Sequence, residues 1–116
     1  MYRVIKTMEI SGSHQLKLSY QSKCENFHGH NWRITICVRA YSLNDDGMVI
    51  DFTHLKKLIK DKLDHTHLND VVPFNPTAEK LAYWIAQQVD EIRQGAICER
   101  VTVQESEGNI AEWSFD

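Results

Sequence analysis

Cys24-Glu25-Asn26-Phe27-His28-Gly29-His30 gathers more chemically able side chains than any other stretch of this 116-residue chain. On an extended backbone residues i and i+2 point the same way, so His28 and His30 can grip one ion. Gly29 between them lets the backbone turn or a ligand approach closely. His14, after Ser11-Gly12-Ser13, comes alongside if the strands before and after this stretch pair. Three histidines leave one tetrahedral position open, which is the pattern of catalytic zinc; structural zinc is usually closed by four protein ligands. Isolated His-x-His pairs also occur on surfaces without any metal.

Cys24 fits three roles: a fourth metal ligand, a base beside the metal, or an ordinary buried thiol, which is the plain reading of Cys37 and Cys98. A nearby metal would draw it toward the thiolate, and a thiolate close to the ion but not on it is a competent general base. Asp64-His65-Thr66-His67 is the second polar cluster. An aspartate next to a histidine can orient the ring and stabilise its protonated form, although taken alone the stretch also reads as a solvated loop. Glu105 has the parity of Val101 and Val103, so a carboxylate interrupts an apolar face and needs a partner. The N–H pair of a guanine-like or pterin-like ring would serve, and so would solvent at a frayed strand end. Thr77 and Glu79 read as a helix cap and a first-turn acid, and His54 as an exposed helical residue.

The elements that must position these residues follow from hydrophobic period. Tyr2 to Ile10 and Asn31 to Tyr41 read as strands, the second with Trp32, Ile34, Ile36 and Val38 on one face. His28 and His30 share that parity and so continue the inward face to the rim of the core. Turn chemistry at Leu43-Asn44-Asp45-Asp46-Gly47 predicts a hairpin-like return into Met48-Val49-Ile50. Asp51 caps a helix with Leu55, Leu58, Ile59 and Leu63 inward, ending near Asp64. The segment 64–75 is predicted as loop. Asn75-Pro76-Thr77 starts a second helix with Leu81, Ile85, Gln88 or Val89, and Ile92 inward, and Gly95 as its stop. From Cys98 the period returns to two, and after Gly108-Asn109 a last strand aligns Ala111, Trp113 and Phe115. The order strand, strand, helix, helix, strand, strand predicts an α+β sandwich with both helices on one face of the sheet.

Composition bounds the function. With 42% hydrophobic residues, five glycines and two prolines, residues 1–116 read as one domain without linkers. A net charge of −3 without long single-sign runs argues against nucleic-acid binding. No apolar run approaches membrane-spanning length, and MYRVIKTMEI lacks a signal-peptide core. Three cysteines at unrelated spacings read as free thiols. The expectation is a soluble cytoplasmic protein with no membrane partner.

Taken together, His14, Cys24-x-x-x-His28-Gly29-His30, Asp51-Phe52, Leu63-Asp64-His65-x-x-Leu68-Asn69, Asn75-Pro76-Thr77-Ala78-Glu79 and Val103-Gln104-Glu105 resemble the 6-pyruvoyl- and 6-carboxy-tetrahydropterin synthase family over almost the whole chain. The resemblance implies the tunnelling fold, an antiparallel four-stranded sheet with two helices on one face. Its subunits join sheets into a barrel as trimers or hexamers, with active sites between subunits. It implies Zn2+ on His14, His28 and His30, Cys24 as the proton-abstracting residue, Asp64 and His65 as a relay pair, and Glu105 as pterin anchor or relay carboxylate. Thr77 and Glu25 join Glu105 as substrate-binding candidates.

The implied substrate is 7,8-dihydroneopterin triphosphate, whose side-chain hydroxyls would become more acidic at zinc's open position. Three residues between Cys24 and His28-Gly29-His30 resemble the 6-carboxy branch of the queuosine pathway, which releases acetaldehyde and triphosphate; 6-pyruvoyl formers usually have five. Glu25 complicates the assignment, since relatives with glutamate there make 6-hydroxymethyl-dihydropterin for folate synthesis. It reads either as a plain loop residue or as the means of an alternative cleavage. Two non-enzymatic readings stand beside these: a structural zinc module closed by Cys24, and a pterin- or purine-binding module without turnover.

Overall fold

The computed structural model describes residues 1–116. Two 13-residue strands, β1 (Tyr2–His14) and β2 (His28–Ala40), pair antiparallel along their whole length, from Tyr2 opposite Ala40 to His14 opposite His28. Their even-numbered residues alternate onto one face, where Met8, Ile10, Trp32, Ile34, Ile36 and Val38 are buried. After Ala40 the chain turns on Asn44, whose side-chain oxygen accepts the N–H groups of Asp46 and Met48. It then enters α1 (Phe52–Leu63), capped by Asp51 through the Thr53 N–H.

α1 buries Leu55, Ile59 and Leu63, and α3 (Ala78–Asp90) buries Leu81, Ile85 and Val89. α1 packs on β1, and α3 on β4 (Ile97–Ser106) and β5 (Asn109–Ser114). One core cluster lies between sheet and helices. The opposite face, with Arg3, Ile5, Thr7 and Glu9 on β1 and Asn31 and Arg33 on β2, is left open. No helix is long and apolar enough to cross a membrane.

The predicted sheet needs correction. It has five strands in the order β3-β1-β2-β4-β5, and it is mixed: β3 (Thr66–His67) runs parallel to β1, matching Gly12 with Thr66 and Ser13 with His67. Two residues cannot show an alternating pattern, so this strand is invisible to periodicity; it forms because the end of α1 delivers the chain to the edge of β1. A third helix, the single turn α2 (Leu68–Val71), follows at once and buries Leu68, so the segment predicted as loop holds two short elements. Met48-Val49-Ile50 forms no return strand. Val49 and Ile50 are instead buried as apolar plugs ahead of α1. α3 ends at Asp90 rather than at Gly95, which sits at φ +89 in the following turn.

Candidate functional site

The β1–β2 register explains the histidine cluster. His14 stands opposite His28, and Gly12 opposite His30, so the inward side chains at the far end of the hairpin are three imidazoles where the core gives out. Trp32 forms their floor: its ring lies 4.9 Å from that of His14 and 5.4 Å from that of His30, edge to face, and its Nε1 donates to the Gly12 carbonyl at 3.1 Å. Gly12 packs closely on this floor, where a side-chain carbon would make ordinary contacts with Leu68 at 3.4 Å and the Trp32 nitrogen at 3.5 Å.

Two backbone carbonyls fix the tautomers. His14 Nδ1 lies 2.8 Å from the Pro76 carbonyl, and His28 Nδ1 lies 2.6 Å from that of Asn26. A carbonyl only accepts, so each ring donates from Nδ1 and its neutral Nε2 is bare. Those two Nε2 atoms face each other at 2.9 Å. Bare nitrogens at that distance repel unless a proton or a metal ion lies with them. Burial holds the fully buried His14 imidazole below its ordinary pKa, which favours the neutral, ligating form.

Glu105 completes the ring of donors. It is the unpaired residue of a β-bulge, because Gln104 pairs with Ile110 while Ser106 pairs with Asn109, and bulges re-aim side chains. Its Oε1 lies 2.8 Å from His30 Nε2, 3.4 Å from that of His14 and 3.9 Å from that of His28. The approach to His30 is not along a hydrogen-bonding direction, so His30 Nε2 is buried without a hydrogen-bond partner. One ligand atom from each of these four residues lies within 4.8 Å of the others. Inward bare nitrogens, one unpartnered nitrogen and a carboxylate fit a divalent ion that accepts imidazole and oxygen ligands.

The remaining sequence candidates are distributed around this cluster. Cys24 is not among the four; it lies exposed on a 3-10 turn, Lys23–Glu25, so the fourth group beside the histidines is Glu105. Glu25 lines a cavity of about 350 Å³ with Gln15, Leu16, Lys17 and Asn69. Asp64 and His65 pair at 3.1 Å. The Ser11 N–H, at 2.8 Å, holds the Asp64 carboxyl below the usual range. His65 is tied by its own N–H to the Ser11 carbonyl at 2.7 Å and has φ 57, a left-handed conformation uncommon for a side-chain-bearing residue.

This pair makes no hydrogen bond or ion pair with the histidine cluster. His65 lines a cavity of about 620 Å³ together with Ser11, Ser13, Asn31 and His30; Asp64 is not part of its lining. Thr77 caps α3, its hydroxyl accepting the Lys80 N–H at 3.1 Å. Glu79 lines a cavity of about 300 Å³ with Glu105 and the β4–β5 turn. The sequence reading gives Glu79 only as a first-turn acid and assigns no role to the Pro76 and Asn26 carbonyls. Backbone acceptors leave no trace in residue type, whereas Glu79, in the first turn of a helix beside a capping threonine, is visible in the sequence.

A family model described as 6-pyruvoyl tetrahydropterin synthase matches residues 3–114. The chain is 35% identical to a 6-carboxy-5,6,7,8-tetrahydropterin synthase of Synechocystis, over 78% of this chain and 77% of that protein. It is 32% identical to the Bacillus subtilis protein of the same name, over 90% and 80%. A solved 6-pyruvoyl tetrahydropterin synthase of Caenorhabditis elegans superposes with a TM-score of 0.79 at 25% identity, covering 99% of this chain and 96% of that one. With the family model matched over residues 3–114 and relatives above 30% identical over most of its length, the chain belongs to the 6-pyruvoyl tetrahydropterin synthase family.

Proposed function

We propose that this protein is a zinc-dependent lyase that converts 7,8-dihydroneopterin triphosphate and water to 6-carboxy-5,6,7,8-tetrahydropterin, acetaldehyde and triphosphate, for 7-deazapurine (queuosine) synthesis in the cytoplasm. The observation that carries this reading is the inward convergence of the His14, His28 and His30 nitrogens, with Cys24 only four residues from His28. Family membership, and relatives named for the 6-carboxy product, support the pterin assignment.

In this reading His14, His28 and His30 hold the ion. When bound, it supplies Lewis acidity toward the substrate's side-chain hydroxyls. The chain's own residues do the rest. Cys24, as thiolate, takes a proton from the pterin side chain, and Glu105 holds or passes protons at the histidine ring. His65, oriented by Asp64, delivers protons to the cleaved fragments. Glu79 and Glu105, which line one cavity, would offer acceptors to the N–H groups of a bicyclic ring, with Thr77 beside them at the cap of α3.

Within one chain the Asp64–His65 pair makes no hydrogen bond or ion pair with the histidine ring. A relay pair from one copy of the chain would therefore serve the histidine ring of another. The second edge of β1, free of β3 from Tyr2 to Ile10, and the outer edge of β5 offer backbone groups for joining sheets between copies. Both observations support a trimer or hexamer with active sites between subunits.

One specific observation favours a second reading. Glu25 follows Cys24 directly and lines its own cavity, so a glutamate base yielding 6-hydroxymethyl-7,8-dihydropterin is the alternative. Mass spectrometry of products from zinc-loaded protein, with Cys24→Ala and Glu25→Ala as comparisons, separates them. A 6-carboxy product lost in Cys24→Ala is expected. A 6-hydroxymethyl product that depends on Glu25 would move the assignment to the folate branch, and an unchanged pterin would end the catalytic reading.

A further inference from the structure

Beyond His14 the chain leaves the backbone ladder of the sheet, yet its polar groups stay paired. The Gln15 N–H donates to Asn69 Oδ1 at 2.9 Å, and Asn69 Nδ2 donates to the Gln15 carbonyl at 2.8 Å. Lys17 and Asn75 repeat the arrangement at 2.8 and 3.0 Å. Each side-chain amide thus acts as a strand residue would, giving one acceptor and one donor to a backbone N–H and C=O. Asn69 carries on from β3: Ser13 is matched with His67 by backbone, and Gln15 with Asn69 keeps the same offset after the chain has turned into α2.

The other edge of this segment holds the candidate base. Leu16, between the two clamped residues, donates its N–H to the Cys24 carbonyl at 3.1 Å, because successive residues of an extended chain present their N–H groups to opposite sides. Residues 15–17 therefore form a splint with two asparagines on one edge and Cys24 on the other, joined directly to the ligand His14. Little else anchors Cys24, whose own N–H finds only the Ser22 hydroxyl at 3.2 Å. Asn75 acts twice, since the carbonyl of the next residue, Pro76, orients the His14 ring.

We infer that Asn69 and Asn75 are positioning residues that set where Cys24 stands relative to the three histidines by fixing residues 15–17 between them. This rests on the reading of Cys24 as the base. A group that takes a proton from carbon acts only at near-contact geometry, and a misplacement of about 1 Å costs about a hundredfold in rate. Splinting the base to a ligand-bearing strand by side-chain amides gives that precision to a turn that has no secondary structure of its own beyond one 3-10 turn.

The test uses zinc-loaded Asn69→Asp and Asn75→Asp. Each keeps an acceptor for the backbone N–H but loses the donor and sets a carboxylate against a carbonyl; Asn69→Ala removes both bonds. Hydrogen–deuterium exchange of the peptide spanning residues 15–25 is followed together with kcat and KM for 7,8-dihydroneopterin triphosphate. The expected result is exchange faster by about tenfold and kcat lower by about ten- to a hundredfold, with KM within about threefold and metal content unchanged in the Asn69 variants. Unchanged exchange in all three variants would overturn the splint. Faster exchange with undiminished kcat would overturn its role in catalysis. Should the wild-type protein turn over no pterin, or Cys24→Ala remain fully active, the reading of Cys24 falls, while the exchange data still decide whether the asparagines hold the segment.

Discussion

Metal loading tests the histidine ring most directly. His14 and His28 turn bare Nε2 atoms toward each other at 2.9 Å, and His30 Nε2 is buried without a hydrogen-bond partner. A cation therefore relieves a repulsion and meets an unfilled need in the folded chain, and the unfolded chain has no preformed site. Zn2+ at about one hundred times its Kd should raise the unfolding free energy by about 2.7 kcal/mol. At roughly 2.1 cal/mol/K per residue, 116 residues have an unfolding entropy of about 0.24 kcal/mol/K, so Tm should rise by about 11 °C. The assay is thermal unfolding of chelator-stripped protein with and without Zn2+, beside His28→Ala. That side chain is 28% exposed, so its truncation should cost the metal-free protein only about 1 kcal/mol while removing most of the zinc-dependent rise. No rise in the wild-type protein, or an equal rise in His28→Ala, would refute the argument that these nitrogens face a cation.

Two further outcomes are expected. The Asp64 carboxyl is held below its ordinary value by the Ser11 N–H, so its contribution to stability is present above the unfolded-state value of about 3.9 and lost as pH falls through the lower folded value. The stability difference between wild type and Asp64→Asn should therefore be constant near neutrality and shrink below about pH 4, and a difference that grows on acidification would contradict this. His65→Asn should keep stability within about 0.5 kcal/mol, because asparagine tolerates the left-handed conformation at φ 57. Pterin turnover should nevertheless fall by about 10²- to 10⁴-fold, the range of general acid–base catalysis; retention of full activity would remove His65 from the relay.

The amino-acid sequence by itself determined the long elements and the metal candidates. Alternation puts Trp32, Ile34, Ile36 and Val38 on one face, and the same parity carries His30 and His28 to the end of that face. Aspartate and threonine caps mark where α1 and α3 begin. These features are local, repeated along the chain and tied to residue type.

Tertiary structure alone decided three things. The two-residue β3 and the single turn of α2 lie below the length at which any period can be read, and they exist because α1 brings residues 66–71 against β1. The choice of Glu105 over Cys24 as the fourth group at the histidines depends on a bulge in the pairing of β4 with β5. The tautomers of His14 and His28 depend on the carbonyls of Pro76 and Asn26. Every residue carries the same carbonyl, so its placement is written only in the folded path of the chain.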